Sequence, residues 1–165
     1  IERVDMTVRL LLSRVGDSAS SPAWVSVLRA AGAHDTYLRT HRGVLDANRV
    51  IEFILLDGQF PRSVFYCLRL AEHSLDELMR GLIDRTGTGT EARRLLGQAR
   101  SELEFVEPGV LLDSLEQRLA GLQTTCRDVG EALALRYFRS APWVEWSDAG
   151  GDGDFASGEV EEGGL

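Results

Sequence analysis

Residues 46–79 read DANRVIEFILLDGQFPRSVFYCLRLAEHSLDELM, and this stretch decides the fold. Its first third is a short apolar helix from Ala47, with Asp46 placed to cap it. Asp57-Gly58 then supplies a tight break, since glycine suits a helix exit. Beyond it a long amphipathic helix is expected to start at Pro61, with apolar residues at Val64, Leu68, Ala71, Leu75, Leu78 and Leu82. That spacing alternates between three and four, which keeps one apolar stripe on one helix face.

Three further segments carry the same spacing. The first is Val4, Val8, Leu11 and Val15; the next is Ala92, Leu96, Ala99, Leu103 and Val106. The last runs through Leu112, Leu115, Leu119, Leu122, Cys126, Val129 and Leu133. Such seams belong to helices packed at shallow angles. The punctuation agrees: Ser21-Pro22 and Pro108 suit helix starts, Thr88 to Glu91 matches a capping box, and Gly87 fits an exit. No stretch alternates as a strand does. The expected fold is all-α, a helical bundle of three or four long helices with additional short helices between Trp24 and Leu56. The helices on either side of the short Gly87 linker should be antiparallel neighbours.

The 165 residues suit one domain with a sizeable core, expected over residues 1–140. The net charge of −8 is not evenly spread. From Glu145 onward there are seven acidic residues and no basic one. Removing those seven from 26 acidic residues leaves 19 against 18 basic in the body. Residues 141–165 therefore read as an acidic, Gly-rich disordered tail. The body has no basic excess to favour nucleic acid. No apolar run approaches the ~20 residues of a membrane helix. All 18 basic residues are Arg, which excludes Schiff-base lysine chemistry and a phosphate-loop lysine. Cys67 and Cys126 lie within apolar patterns and read as buried, reduced thiols, favouring a cytoplasmic compartment. The chain opens at Ile1 inside a helical pattern, which reads as a piece of a longer protein.

Two clusters are candidates for chemistry. Glu2 and Arg3 open the first helix, followed by Asp5 and Arg9, which stand four apart and can pair on one face. They form either a solvated, weakly stabilising face or a held Glu-Arg pair that binds a carboxylate or ties helices together. The second cluster is Asp57, Arg62 and Ser63. With Pro61 starting the helix, Arg62 and Ser63 would sit in its first turn, where free N–H groups favour an anion. The alternative is internal: Asp57 pairs with Arg62, and Ser63 helps cap the turn. Arg69, Glu72, His73, Asp76, Glu77 and Arg80 read as a solvated, mixed-sign face. His34, His41 and His73 show no metal-ligand spacing, so no metal and no cofactor is expected. Trp143 and Trp146 follow Pro142 and are suited to dock the root of the tail.

IERVDMTVRLLL at the front, RVIEFILLDGQFPRSVFYCLRLAE in the middle and ALALRYF at the close resemble the bacterial alpha-E domain family, from Ile1 to about Phe138. The family is all-helical and named for a Glu-Arg motif, which Glu2-Arg3 match. Members usually carry a short helical stretch before this pair; its lack here implies an N-terminally truncated domain. The resemblance implies partnership with circularly permuted ATP-grasp ligases, fused or separate, and with neighbouring transglutaminase-like and proteasome-like peptidase genes. It thus implies a setting of ATP-dependent peptide-bond formation or peptide tagging. ATP-grasp chemistry itself needs Lys and carboxylate-bound Mg²⁺ on a mixed α/β scaffold, which this sequence lacks.

The expected function is a non-catalytic accessory domain that docks an ATP-grasp amide ligase or binds its acceptor peptide, with Glu2, Arg3 and Arg62 making contacts. Two alternatives stand beside it. One is a small all-α enzyme whose Arg and Glu stabilise an anionic transition state; a fully exposed Glu2-Arg3 pair would count against it. The other is a structural oligomerisation module.

Overall fold

The computed structural model describes residues 1–14, 21–42, 45–80 and 88–138. Within these ranges the side chains of Ser21, Pro22, Arg80, Thr88, Thr90 and Pro108 fall outside the description. Val15, Leu82, Gly87, Trp143, Trp146 and the acidic segment also lie outside the described residues.

The described residues form helices and no strand, so the all-α expectation holds. The order is α1 (Glu2–Leu12), α2 (Ser21–Ala30), α3 (His34–Thr40), α4 (Ala47–Leu56), α5 (Val64–Arg80), α6 (Thr88–Glu104), α7 (Pro108–Asp113) and α8 (Leu115–Tyr137). Among them no helix is long and apolar enough to cross a membrane.

Four helices close a ring of pairwise packings: α1 on α8, α8 on α6, α6 on α5, and α5 on α1. The buried seams are those expected from spacing. α1 contributes Val4, Val8 and Leu11; α6 contributes Ala92, Leu96, Ala99 and Leu103; α8 contributes Leu119, Leu122, Cys126 and Val129. Each large apolar side chain so buried is worth about 1.5–3 kcal/mol. The short helices flank this ring. α2 packs on α3 and α4, and α4 carries the group onto α5 and α6. α4 has partners on several sides, which is why Val50, Ile51, Phe53, Ile54 and Leu55 are all buried. Its start is as the sequence predicts: the Asp46 carboxylate accepts the Arg49 backbone N–H at 3.0 Å.

α5 and α6 run antiparallel. Arg93 reaches Asp76 at 2.5 Å and Arg100 reaches Glu72 at 2.7 Å, so positions rise along one helix as they fall along the other. Arg100 also pairs with Glu104 on its own helix. Glu72 and Asp76 therefore serve the α5–α6 seam rather than a purely solvated face. Arg69 turns back instead, donating to the Gly58 carbonyl at 3.1 Å and stacking over Tyr66.

Three local expectations are corrected. The long helix begins at Val64, not Pro61. Pro61 and Arg62 form a turn, and Ser63 caps the helix by accepting the Tyr66 N–H at 3.0 Å. Arg62 and Ser63 thus precede the first turn. Leu78 leaves the α5 seam and is 60% exposed; the stripe steps by four from Leu75 to Met79, which packs against the core instead. The last apolar segment is split at Ser114, whose hydroxyl donates to the Val110 carbonyl and competes with a continuous helix.

Candidate functional site

The site begins with α1. Glu2, Arg3, Met6, Thr7 and Leu10 fall on one flank of this helix, and all line a surface cleft of about 490 Å³. Ala30 and Ala31, at the end of α2, form the opposite wall, and Arg62 closes it from the turn before α5. Thr7 lies in the floor and is nearly fully buried, whereas Glu2, Arg3 and Arg62 are exposed at the rim.

The backbone explains why Arg62 arrives there. α2 ends in a Schellman motif: Ala33 N–H bonds the Leu28 carbonyl at 2.7 Å, and Gly32 N–H bonds Arg29 at 2.9 Å. The motif needs a left-handed residue, and Gly32 supplies it at φ +62°. Gly32 also supplies bare space. A Cβ there would stand 1.9 Å from Arg62 Nη1 and 3.1 Å from its Cζ, so the guanidinium lies directly on the glycine backbone.

The turn that carries Arg62 is held from within. Asp57 Oδ1 accepts the N–H groups of Gln59 at 2.8 Å and Phe60 at 2.7 Å. Ser63 Oγ donates to the Asp57 carbonyl at 2.5 Å. Asp57 therefore bonds backbone rather than Arg62. The side chains of Glu2, Arg3 and Arg62 have no ion pair or hydrogen bond among the described residues.

Arg9 faces elsewhere. Its Nε donates to Asp5 at 2.7 Å, the pairing expected from their spacing. Both line a second groove, of about 770 Å³, against Gln123, Thr124, Arg127 and Gly130 of α8. Glu2 borders both grooves. Cys126 also edges the second groove, but burial pushes its thiol up to about 11, which makes it a poor nucleophile.

Of the six residues singled out from sequence, the structure brings Glu2, Arg3 and Arg62 together. It leaves Arg9 on the α8 side and gives Asp57 and Ser63 bonds within the turn. Thr7 and Gly32 were not foreseen. The signal for Gly32 was present in Ala-Ala-Gly-Ala after α2, which reads as a helix exit. Nothing in the sequence tied that exit to Arg62. Chemically, two guanidiniums without carboxylate partners suit a carboxylate or phosphate, which arginine engages through paired N–H groups.

An all-helical chain with a Glu-Arg pair at the mouth of a cleft is the class defined so far. The chain matches, over residues 1–138, the Alpha-E family, described as a predicted alpha-helical domain with a conserved ER motif. It belongs to that family. Glu2-Arg3 is the only adjacent Glu-Arg pair in the sequence, and it lies on the rim of this cleft. No curated protein and no solved structure matches the chain.

Proposed function

We propose that this domain is a non-catalytic, cytoplasmic accessory part of an ATP-grasp amide-ligase system. In this reading the cleft holds a carboxylate of the acceptor peptide while the ligase performs the ATP-dependent step. One observation carries the reading: Arg62 is folded to the same cleft as Arg3, across 59 positions of sequence, and neither guanidinium has a carboxylate partner among the described residues. The resemblance noted above supplies the ligase as partner. Exposure of Glu2 and Arg3 speaks against the small-enzyme alternative, because charge stabilisation is strong only where water is excluded.

The test is co-purification with the ATP-grasp ligase of the same genome, followed by ATP turnover with and without the domain. A stable complex with stimulated turnover is expected. Arg3→Ala and Arg62→Ala should then raise the KM for acceptor while leaving the helical circular dichroism intact. No complex and unchanged turnover would overturn the accessory role.

Self-association is the second reading. Leu135, Tyr137 and Phe138 are all exposed at the end of α8, and a group of large apolar side chains left in water together marks a contact surface, where a lone one does not. A monomer in light scattering would remove it.

A further inference from the structure

The cleft pairs cations with apolar surface. Arg3 and Arg62 stand beside Met6, Leu10, Ala30 and Ala31, and Met6 is 71% exposed. A complementary ligand carries carboxylates spaced among large apolar groups, so that charge meets guanidinium while rings cover the methionine.

One segment of this chain has that chemistry. Residues 142–148 read Pro-Trp-Val-Glu-Trp-Ser-Asp, placing Trp143 and Trp146 among Glu145 and Asp148. The stretch from Glu145 to Leu165 holds seven acidic residues and no basic one, so its charge is opposite to that of the two free arginines. The connection is short. Gly130 of α8 lines the groove that Glu2 shares with the cleft. Phe138 follows Gly130 by about 12 Å of helix. From Phe138 to Glu145 the extended chain spans up to about 23 Å. That length exceeds the ~12 Å back to the level of Gly130, which shares a groove with Glu2, so the chain is long enough for Glu145 to return beside the start of α1.

We propose that residues 143–148 dock in the Glu2–Arg3–Arg62 cleft of their own chain. Glu145 and Asp148 meet the guanidiniums, and the tryptophans cover Met6, Ala30 and Ala31. The inference rests on the cleft being a carboxylate site, and it adds regulation. A tethered occupant has an effective concentration in the millimolar range for a short linker. A free acidic peptide must exceed that before it enters, so the tail sets the threshold for the ligand.

The experiment is ¹⁹F NMR on the full chain labelled with 5-fluorotryptophan. Trp24 is buried and reports the fold; Trp143 and Trp146 are assigned by single Trp→Phe variants. The two tail signals should be displaced from those of a free peptide covering residues 141–150, independently of protein concentration. Arg3→Glu with Arg62→Glu should return them to the free-peptide position and leave the Trp24 signal unmoved. Tail signals already at the free-peptide position would overturn the proposal, as would displacement that survives the double variant. Displacement that grows with protein concentration also overturns it, because the occupant is then a second copy's tail. The same free peptide is titrated into Glu145→Gln with Asp148→Asn. If it binds there while the intact tail stays free, the carboxylate site stands and only the tethered occupant is lost. If it does not bind, both fail.

Discussion

Replacing Ser63 with alanine tests what positions Arg62. Ser63 is completely buried, donates to the Asp57 carbonyl at 2.5 Å and accepts the Tyr66 N–H at 3.0 Å. The variant loses the N-cap of α5, worth about 1 kcal/mol. It also strands the Asp57 carbonyl in a part-buried turn beside a side chain that water does not reach, at a cost of about 1–3 kcal/mol. The two overlap, and we expect a total of about 2.5 kcal/mol. At roughly 3 °C per kcal/mol for a domain of this size, Tm should fall by roughly 7 °C. Asp46→Ala is the internal comparison. It removes a cap of the same kind from α4, accepting at 3.0 Å, but at an exposed position where water replaces it. Its cost should be about 1 kcal/mol. Urea titrations followed by circular dichroism give both values, with the m-value unchanged if the folded state is intact. If Ser63→Ala costs no more than Asp46→Ala, the buried hydroxyl is not what anchors this turn.

Three other outcomes are expected. Gly121 and Gly130 lie inside α8, and a methyl group added at either would meet nothing within 4 Å, so Gly121→Ala and Gly130→Ala should each stabilise by about 0.5–1 kcal/mol in the same titrations. Gly32→Ala should act in the opposite direction: the left-handed φ costs about 1–2 kcal/mol, and the added methyl expels Arg62 from its seat. Binding of an acidic peptide, read by calorimetry, should then weaken as much as in Arg62→Ala. Cys67 and Cys126 are both buried, and at pH 8 Cys126 has on the order of one thiolate in a thousand. A thiol reagent should modify neither in the folded chain within minutes and both in urea; rapid labelling of the folded chain would contradict the packing.

Much of the fold was legible because one face of each long helix must be apolar. Val4, Val8 and Leu11, or Leu119, Leu122, Cys126 and Val129, are spaced as one stripe and are buried as one stripe. The cap at Asp46 was legible because its chemistry is local. The start of α5 was not. Pro61 suits a first turn, but Ser63 caps better, and its bond to the Asp57 carbonyl settles the competition through a contact six residues away. Leu78 was misplaced because both the third and the fourth residue after Leu75 are apolar and lie near one face; packing, not spacing, selects Met79 over Leu78. At the site, the Glu-Arg pair and Arg62 were visible as separate charges. Their meeting depends on the Schellman turn at Gly32 and on α1 packing against α5, which are long-range facts that no local spacing contains.

The cleft takes its walls from α1, the end of α2 and the turn before α5. These pieces are scattered in the unfolded chain, so the site exists only in the folded one. Any molecule that binds there draws the folding equilibrium toward the native state. At one hundred times its Kd, such a ligand adds about 2.7 kcal/mol, which is roughly 8 °C in Tm. The melting temperature is therefore a ligand detector that needs no assay of activity. A panel of acidic peptides, amino acids and phosphates ranked by thermal shift, and then repeated on Arg62→Ala, identifies the natural occupant by which shift disappears.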